Sequence, residues 1–100
     1  MKQFVALIAV ALPLCIAPAH ASQELANESK CMACHSVDKK MLGPSFKDIS
    51  AKYKGDKTAE ATLANGMLNG VKGKWGNIPM PAQKISPVDA QALSKWILTL

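Results

Sequence analysis

Two cysteines and a histidine fall within five consecutive residues, Cys31-Met32-Ala33-Cys34-His35. Thiols separated by one helical turn can each reach one vinyl group on the same edge of a porphyrin and form a thioether. The adjacent imidazole then lies under the iron, where a ring nitrogen becomes the fifth ligand. The pentapeptide therefore points to one covalently attached haem c, with Cys31 and Cys34 as thioether sulfurs and His35 as an axial iron ligand. Three other chemistries use the same residue types. A thioredoxin-like dithiol needs a βαβ setting, a structural zinc site needs four ligands, and a disulfide between Cys31 and Cys34 closes too small a loop to stabilise much.

Whether such a haem carries electrons or catalyses a reaction depends on the sixth iron position. From residue 22 onward His35 is the only histidine, which leaves Met32, Met41, Met67 and Met80 as candidates. Met32 lies inside the attachment loop, and Met41 is too close in sequence to His35 to leave its side of the ring. Met67 falls on a helical stripe, where methionine is more often core filler than ligand. Met80, between Pro79 and Pro81, fits best because the prolines stiffen the segment and hold it extended; Met67 is the alternative. A ligating histidine donates its second ring proton to an acceptor, and the Pro44 carbonyl is a candidate. The Trp75 indole, in the same loop as Met80, is a candidate donor to a haem propionate, the alternative being a partly exposed apolar ring.

Four short helices must hold these groups. One starts near Ser22 and runs to about Cys31, with Leu25, Ala26 and Met32 on its apolar face. Ser45 and Asp48 form a capping box for a second, which turns Phe46, Ile49, Ser50 and Tyr53 to one side and stops at Gly55. Thr58 opens a third, with Ala64, Met67, Leu68 and Val71 on one stripe and Asn69-Gly70 as its end. Ser86-Pro87-Val88-Asp89 combines an N-cap, a first-turn proline and an acid, and Ala92, Leu93, Trp96, Ile97 and Leu100 form the buried face of the fourth. Between the last two, residues 72–84 hold two glycines and two prolines, so no regular element runs through them. No segment alternates with period two, and the expected class is all-α.

The first 21 residues read differently. Lys2 precedes an uncharged run from Gln3 to Ala19, and Ala19-His20-Ala21 offers the small residues that a signal peptidase recognises. A cleaved secretory leader over 1–21 is expected, leaving a domain of residues 22–100. A membrane anchor is disfavoured by Pro13 and Pro18, which leave less than the roughly 20 apolar residues of a spanning helix. A lipid anchor on Cys15 is disfavoured by the bulky Leu14. Cleavage removes Cys15 and His20, so the remaining chain has three zinc-type donors at the motif. It also leaves eleven lysines against seven acidic residues, a net +4, with no arginine anywhere. That charge suits steering toward acidic proteins; nucleic acid binding is not expected without a basic stripe and aromatic platforms. A domain of 79 residues has a marginal apolar core, and a buried cofactor would complete it.

Over essentially all of residues 22–100 the chain resembles the class I cytochromes c of the bacterial cytochrome c-551 (cytochrome c8) type. The resemblance runs through the pentapeptide, Met41-Leu42-Gly43-Pro44, Phe46-Lys47-Asp48, Lys74 to Pro81 and Ala92 to Ile97. It implies a fold of about four short helices around one covalent haem, thioethers at Cys31 and Cys34, axial ligands His35 and Met80, the Pro44 carbonyl on His35 and Trp75 near a propionate. It also implies a soluble, monomeric periplasmic single-electron carrier with transient redox partners, serving a terminal oxidase or a reductase such as nitrite reductase. Two departures stand out. Some members carry an arginine near a propionate where this chain has Gly66 or a neighbour, and some carry asparagine shortly after the axial methionine, a place held here by Gln83. With both axial positions filled the iron has no open site, so a carrier is expected rather than an enzyme. The rival is a haem enzyme or gas sensor in which Met80 does not hold the iron.

Overall fold

Ser22 is extended (φ −149°, ψ 171°) and leads into α1, Gln23–Glu28, which buries Leu25 and Ala26. The computed structural model describes residues 6, 8–10 and 22–100; the leader expected over 1–21 and its cleavage site lie outside the described residues, apart from those four positions. α1 stops short of the expected end at Cys31 because Lys30 turns into the left-handed region (φ 62°, ψ 19°), which no α-helix continues through. A single 3-10 turn follows over Cys31–Ala33.

α2, Phe46–Lys52, begins where the sequence places it, with Ser45 Oγ accepting the Asp48 N–H at 3.1 Å. It buries Phe46 and Ile49. α3, Ala59–Asn69, opens at Thr58 and ends at Gly70, where the sequence places it. Thr58 has helical backbone angles and its side chain caps nothing; instead Asp56 Oδ1 accepts both the Thr58 N–H (2.8 Å) and the Thr58 hydroxyl (2.7 Å). The carboxylate takes over because it already sits outside the helix, where an N-terminal acceptor is needed.

α4, Pro87–Ile97, is capped by Ser86 Oγ, which accepts the Asp89 N–H at 3.1 Å. Its buried residues are Ala90, Leu93, Ser94 and Ile97. Ala92 and Trp96 are half-buried, one position round from the buried stripe, and Leu100 lies beyond the helix end and is exposed. The Ser94 hydroxyl is accommodated by donating to the Ala90 carbonyl at 2.7 Å.

α4 is the hub. α3 packs along it, and α1 and α2 rest against it, so Leu25, Phe46, Ile49, Met67, Leu93 and Ile97 meet in one core. Each such side chain contributes about 1.5–3 kcal/mol on burial. The architecture is all-α, with four α-helices and no strand among the described residues; one isolated antiparallel bridge joins Val71 to Met80. No helix among the described residues is long and apolar enough to cross a membrane.

Candidate functional site

The left-handed turn at Lys30 swings the 3-10 segment so that Cys31, Cys34 and His35 line one open cavity of about 320 Å³. Both thiols are free, Cys31 half-buried and Cys34 exposed. Burial pushes the Cys31 thiol above its ordinary pKa, and the neighbouring Cys34 adds to the rise against an opposing backbone hydrogen bond. Two free thiols lining one cavity are what thioether formation with a pair of vinyl groups requires.

His35 is buried, 8% exposed, and held on three sides. Its ring stacks on Phe46 at 5.2 Å between centroids and 22° between planes, and Phe46 in turn presents to Trp96 edge-on at 5.6 Å. Its Nδ1 lies 2.7 Å from the Pro44 carbonyl oxygen. A carbonyl can only accept, so Nδ1 carries a proton and donates. The backbone secures this pairing: Gly43 N–H donates to the Cys34 carbonyl (2.8 Å), Phe46 N–H to Ser36 (2.9 Å) and Lys47 N–H to Val37 (3.1 Å). Gly43 also lies flat against the imidazole, where a Cβ would stand 2.8 Å from Nδ1 and 3.0 Å from Nε2.

Met80 and Met67 both line the same cavity. Met67 is a core residue, 7% exposed, on the buried stripe of α3. Met80 is half-buried on the loop, and its backbone is fixed by reciprocal 2.9 Å hydrogen bonds with Val71. Gln83 reaches the cavity too; its N–H donates to the Met67 carbonyl (2.7 Å) and its side-chain Nε2 to the Pro81 carbonyl (2.8 Å). Trp75 is at the cavity edge, 38% exposed, with the Lys52 ammonium 4.3 Å from its ring centroid. Lys52 also donates to the Lys74 carbonyl at 3.3 Å, tying α2 to the loop. Met41 is exposed, and Met32 packs against the core.

The residues fit a haem. The walls are chiefly apolar, the donors are one imidazole nitrogen and thioether sulfur, and the thiols stand beside that imidazole. Among the described residues no group of three or more His, Cys, Asp or Glu is placed to hold an ion directly. Sequence reasoning missed three contributors: Gly43 against the ring, Lys52 over Trp75 and the Val71–Met80 bridge. Only the first left a mark, as the glycine beside the proposed acceptor.

The cytochrome c family model matches residues 19–100. Cytochrome c-551 of Pseudomonas denitrificans is 47% identical over 78 residues, which cover 78% of this chain and 95% of that protein. The wild-type cytochrome c552 of Nitrosomonas europaea superposes with a TM-score of 0.77 at 46% identity, over 79% of this chain and 99% of that one. The class 1 cytochrome MtoD of Sideroxydans lithotrophicus ES-1 gives a TM-score of 0.64 at 36% identity, over 79% and 91%. Similarity of this extent makes the chain a member of the cytochrome c family, a small electron carrier with one covalently bound haem c and not an enzyme.

Proposed function

We propose that residues 1–21 are a cleaved secretory leader and that residues 22–100 act as a soluble, monomeric carrier in the periplasm. In this reading Cys31 and Cys34 form the thioethers, and His35 Nε2 and Met80 Sδ are the axial iron ligands. The observation that carries the reading is the 2.7 Å bond from His35 Nδ1 to the Pro44 carbonyl, which engages Nδ1 and leaves Nε2 as the ring nitrogen available to a metal in the cavity that Met80 also lines. When bound, the haem supplies a one-electron ferric/ferrous couple. The protein's part is to fill both axial positions, keep water from the iron and surround the ring with apolar side chains, which disfavours the more highly charged ferric state and raises the potential. Trp75 donates to a propionate, and Gln83, anchored to Met67 and Pro81, helps to orient Met80. Partners are transient and acidic, a reductase such as nitrite reductase or a terminal oxidase, met through brief contacts of the lysine-bearing surface.

A spectroelectrochemical titration of the purified holoprotein tests the ligand set. A weak red-end charge-transfer band in the oxidised form that disappears in one reversible one-electron step is the expected result. Absence of the band, or avid binding of carbon monoxide by the unmodified protein, sinks the carrier reading in favour of a haem enzyme or sensor.

A further inference from the structure

Gly70 ends α3 with φ +89° and ψ 165°, a backbone region that side-chain-bearing residues occupy only under strain. Its vacant side-chain direction faces the loop that carries Met80. A Cβ built there would stand 2.9 Å from the Met80 carbonyl oxygen and 3.3 Å from Ala82 N. Around this contact three backbone hydrogen bonds lace the loop to the helix end: the two between Val71 and Met80, 2.9 Å each, and Gln83 N–H to the Met67 carbonyl at 2.7 Å. The loop backbone thus lies closer to Gly70 than any side chain permits. At the other positive-φ glycines, Gly55, Gly73 and Gly76, an added Cβ would meet nothing within 4 Å, so their conformation serves only the local turn.

We infer that Gly70 is a positioning residue for the sixth iron ligand: it lets the backbone of residues 80–82 seat against the end of α3, and that seat sets where the Met80 sulfur can reach. The inference rests on Met80 being the ligand, as proposed above. A methyl group at position 70 pushes the Met80 carbonyl outward and strains both bonds of the bridge. The sulfur then leaves the iron more often, and an external ligand competes for a larger fraction of competent molecules.

The test compares Gly70→Ala with Gly55→Ala, both as holoproteins. Gly55 has nearly the same φ, +81°, in open space, so its variant imposes backbone strain without touching the loop. The ferric Gly70→Ala protein should bind imidazole about tenfold more tightly than either the Gly55→Ala or the unmodified protein and show a weakened red-end band. Equal imidazole affinity in the two variants overturns the inference. If Gly70→Ala yields no holoprotein, amide exchange in the unmodified holoprotein decides: imidazole displacement of Met80 should strip protection from the Val71 and Met80 amides while Leu93 in α4 stays protected. Retained protection at the bridge overturns the inference equally. A band insensitive to Gly70→Ala removes the positioning role and leaves the ligand assignment intact, whereas an unmodified protein with no band removes both.

Discussion

The Nδ1 of His35 and the carbonyl oxygen of Pro44 are 2.7 Å apart, a hydrogen bond between a side chain and a backbone atom nine residues on. Because the acceptor is backbone, replacing the proline side chain does not remove it. Replacing the glycine before it does more damage, since the imidazole lies where the Gly43 Cβ would go.

Gly43→Ala is therefore expected to cost about 1–3 kcal/mol as an overpacked contact. Pro44→Ala, which keeps the carbonyl, is expected to cost less than about 1 kcal/mol, chiefly through a more flexible unfolded chain. Urea unfolding of the two holoproteins checks the order, and a larger loss from Pro44→Ala would show that the proline ring, not the close approach at Gly43, fixes the imidazole.

Met67 and Met80 line one cavity but belong to different structures, a packed helix and a bridged loop. Met67→Ala should behave as a core truncation, losing about 2–5 kcal/mol of stability with the red-end band kept. Met80→Ala should abolish the band, lower the potential and admit carbon monoxide to the ferrous protein. Absorption spectra with and without the gas distinguish the two, and the opposite pattern would move the ligand to Met67.

Asp56 titrates at the start of α3. Hydrogen bonds from the Thr58 hydroxyl and then from the Thr58 N–H hold its carboxyl below the usual carboxylate range. A group with a lower pKa folded than unfolded contributes stability that is present above the unfolded value, about 3.9, and lost as pH falls through the folded one. The thermal midpoints of Asp56→Asn and the unmodified protein should thus lie apart above about pH 4 and converge as the solution is acidified below it. A constant gap across the acid limb would assign the effect to shape and not to charge.

The positive charge of residues 22–100 is carried wholly by lysine, a net +4 before haem is counted. Electron-transfer rates with an acidic partner should fall about tenfold or more between low and molar salt, as the screening length shrinks from roughly 30 Å to roughly 3 Å. Stopped-flow rates that ignore ionic strength would mean that the lysines do not steer.

What could be read from the sequence was what is local. Ser45 and Ser86 announce their helices because an N-cap and the N–H it accepts lie three residues apart. The pentapeptide Cys31 to His35, the proposed attachment site, is likewise complete within five residues. The start of α3 at Thr58 was legible too, but the part of Asp56, whose carboxylate accepts the Thr58 N–H and hydroxyl, was not, because it depends on the backbone angles of Thr58. The end of α1 depended on Lys30 adopting positive φ, for which lysine gives no signal. The Val71–Met80 bridge pairs two lone residues across a loop, too short a contact for any period to mark, and the seat at Gly70 exists only once that loop has folded back.

That bridge divides the loop into two parts with different freedoms. Everything between Val71 and Met80, residues 72–79, is an excursion whose two ends are already joined. Lengthening a closed excursion is cheap, about 0.6 kcal/mol for each doubling, because only closure entropy changes. Residues inserted or deleted near Gly73 or Gly76, where nothing crowds the backbone, would alter the surface offered to a partner without shifting the sulfur beyond the bridge. With Met80 as the proposed ligand, the bridge anchors the sulfur's end of the loop, while Gly73 and Gly76 mark the points at which the excursion can change length at its surface.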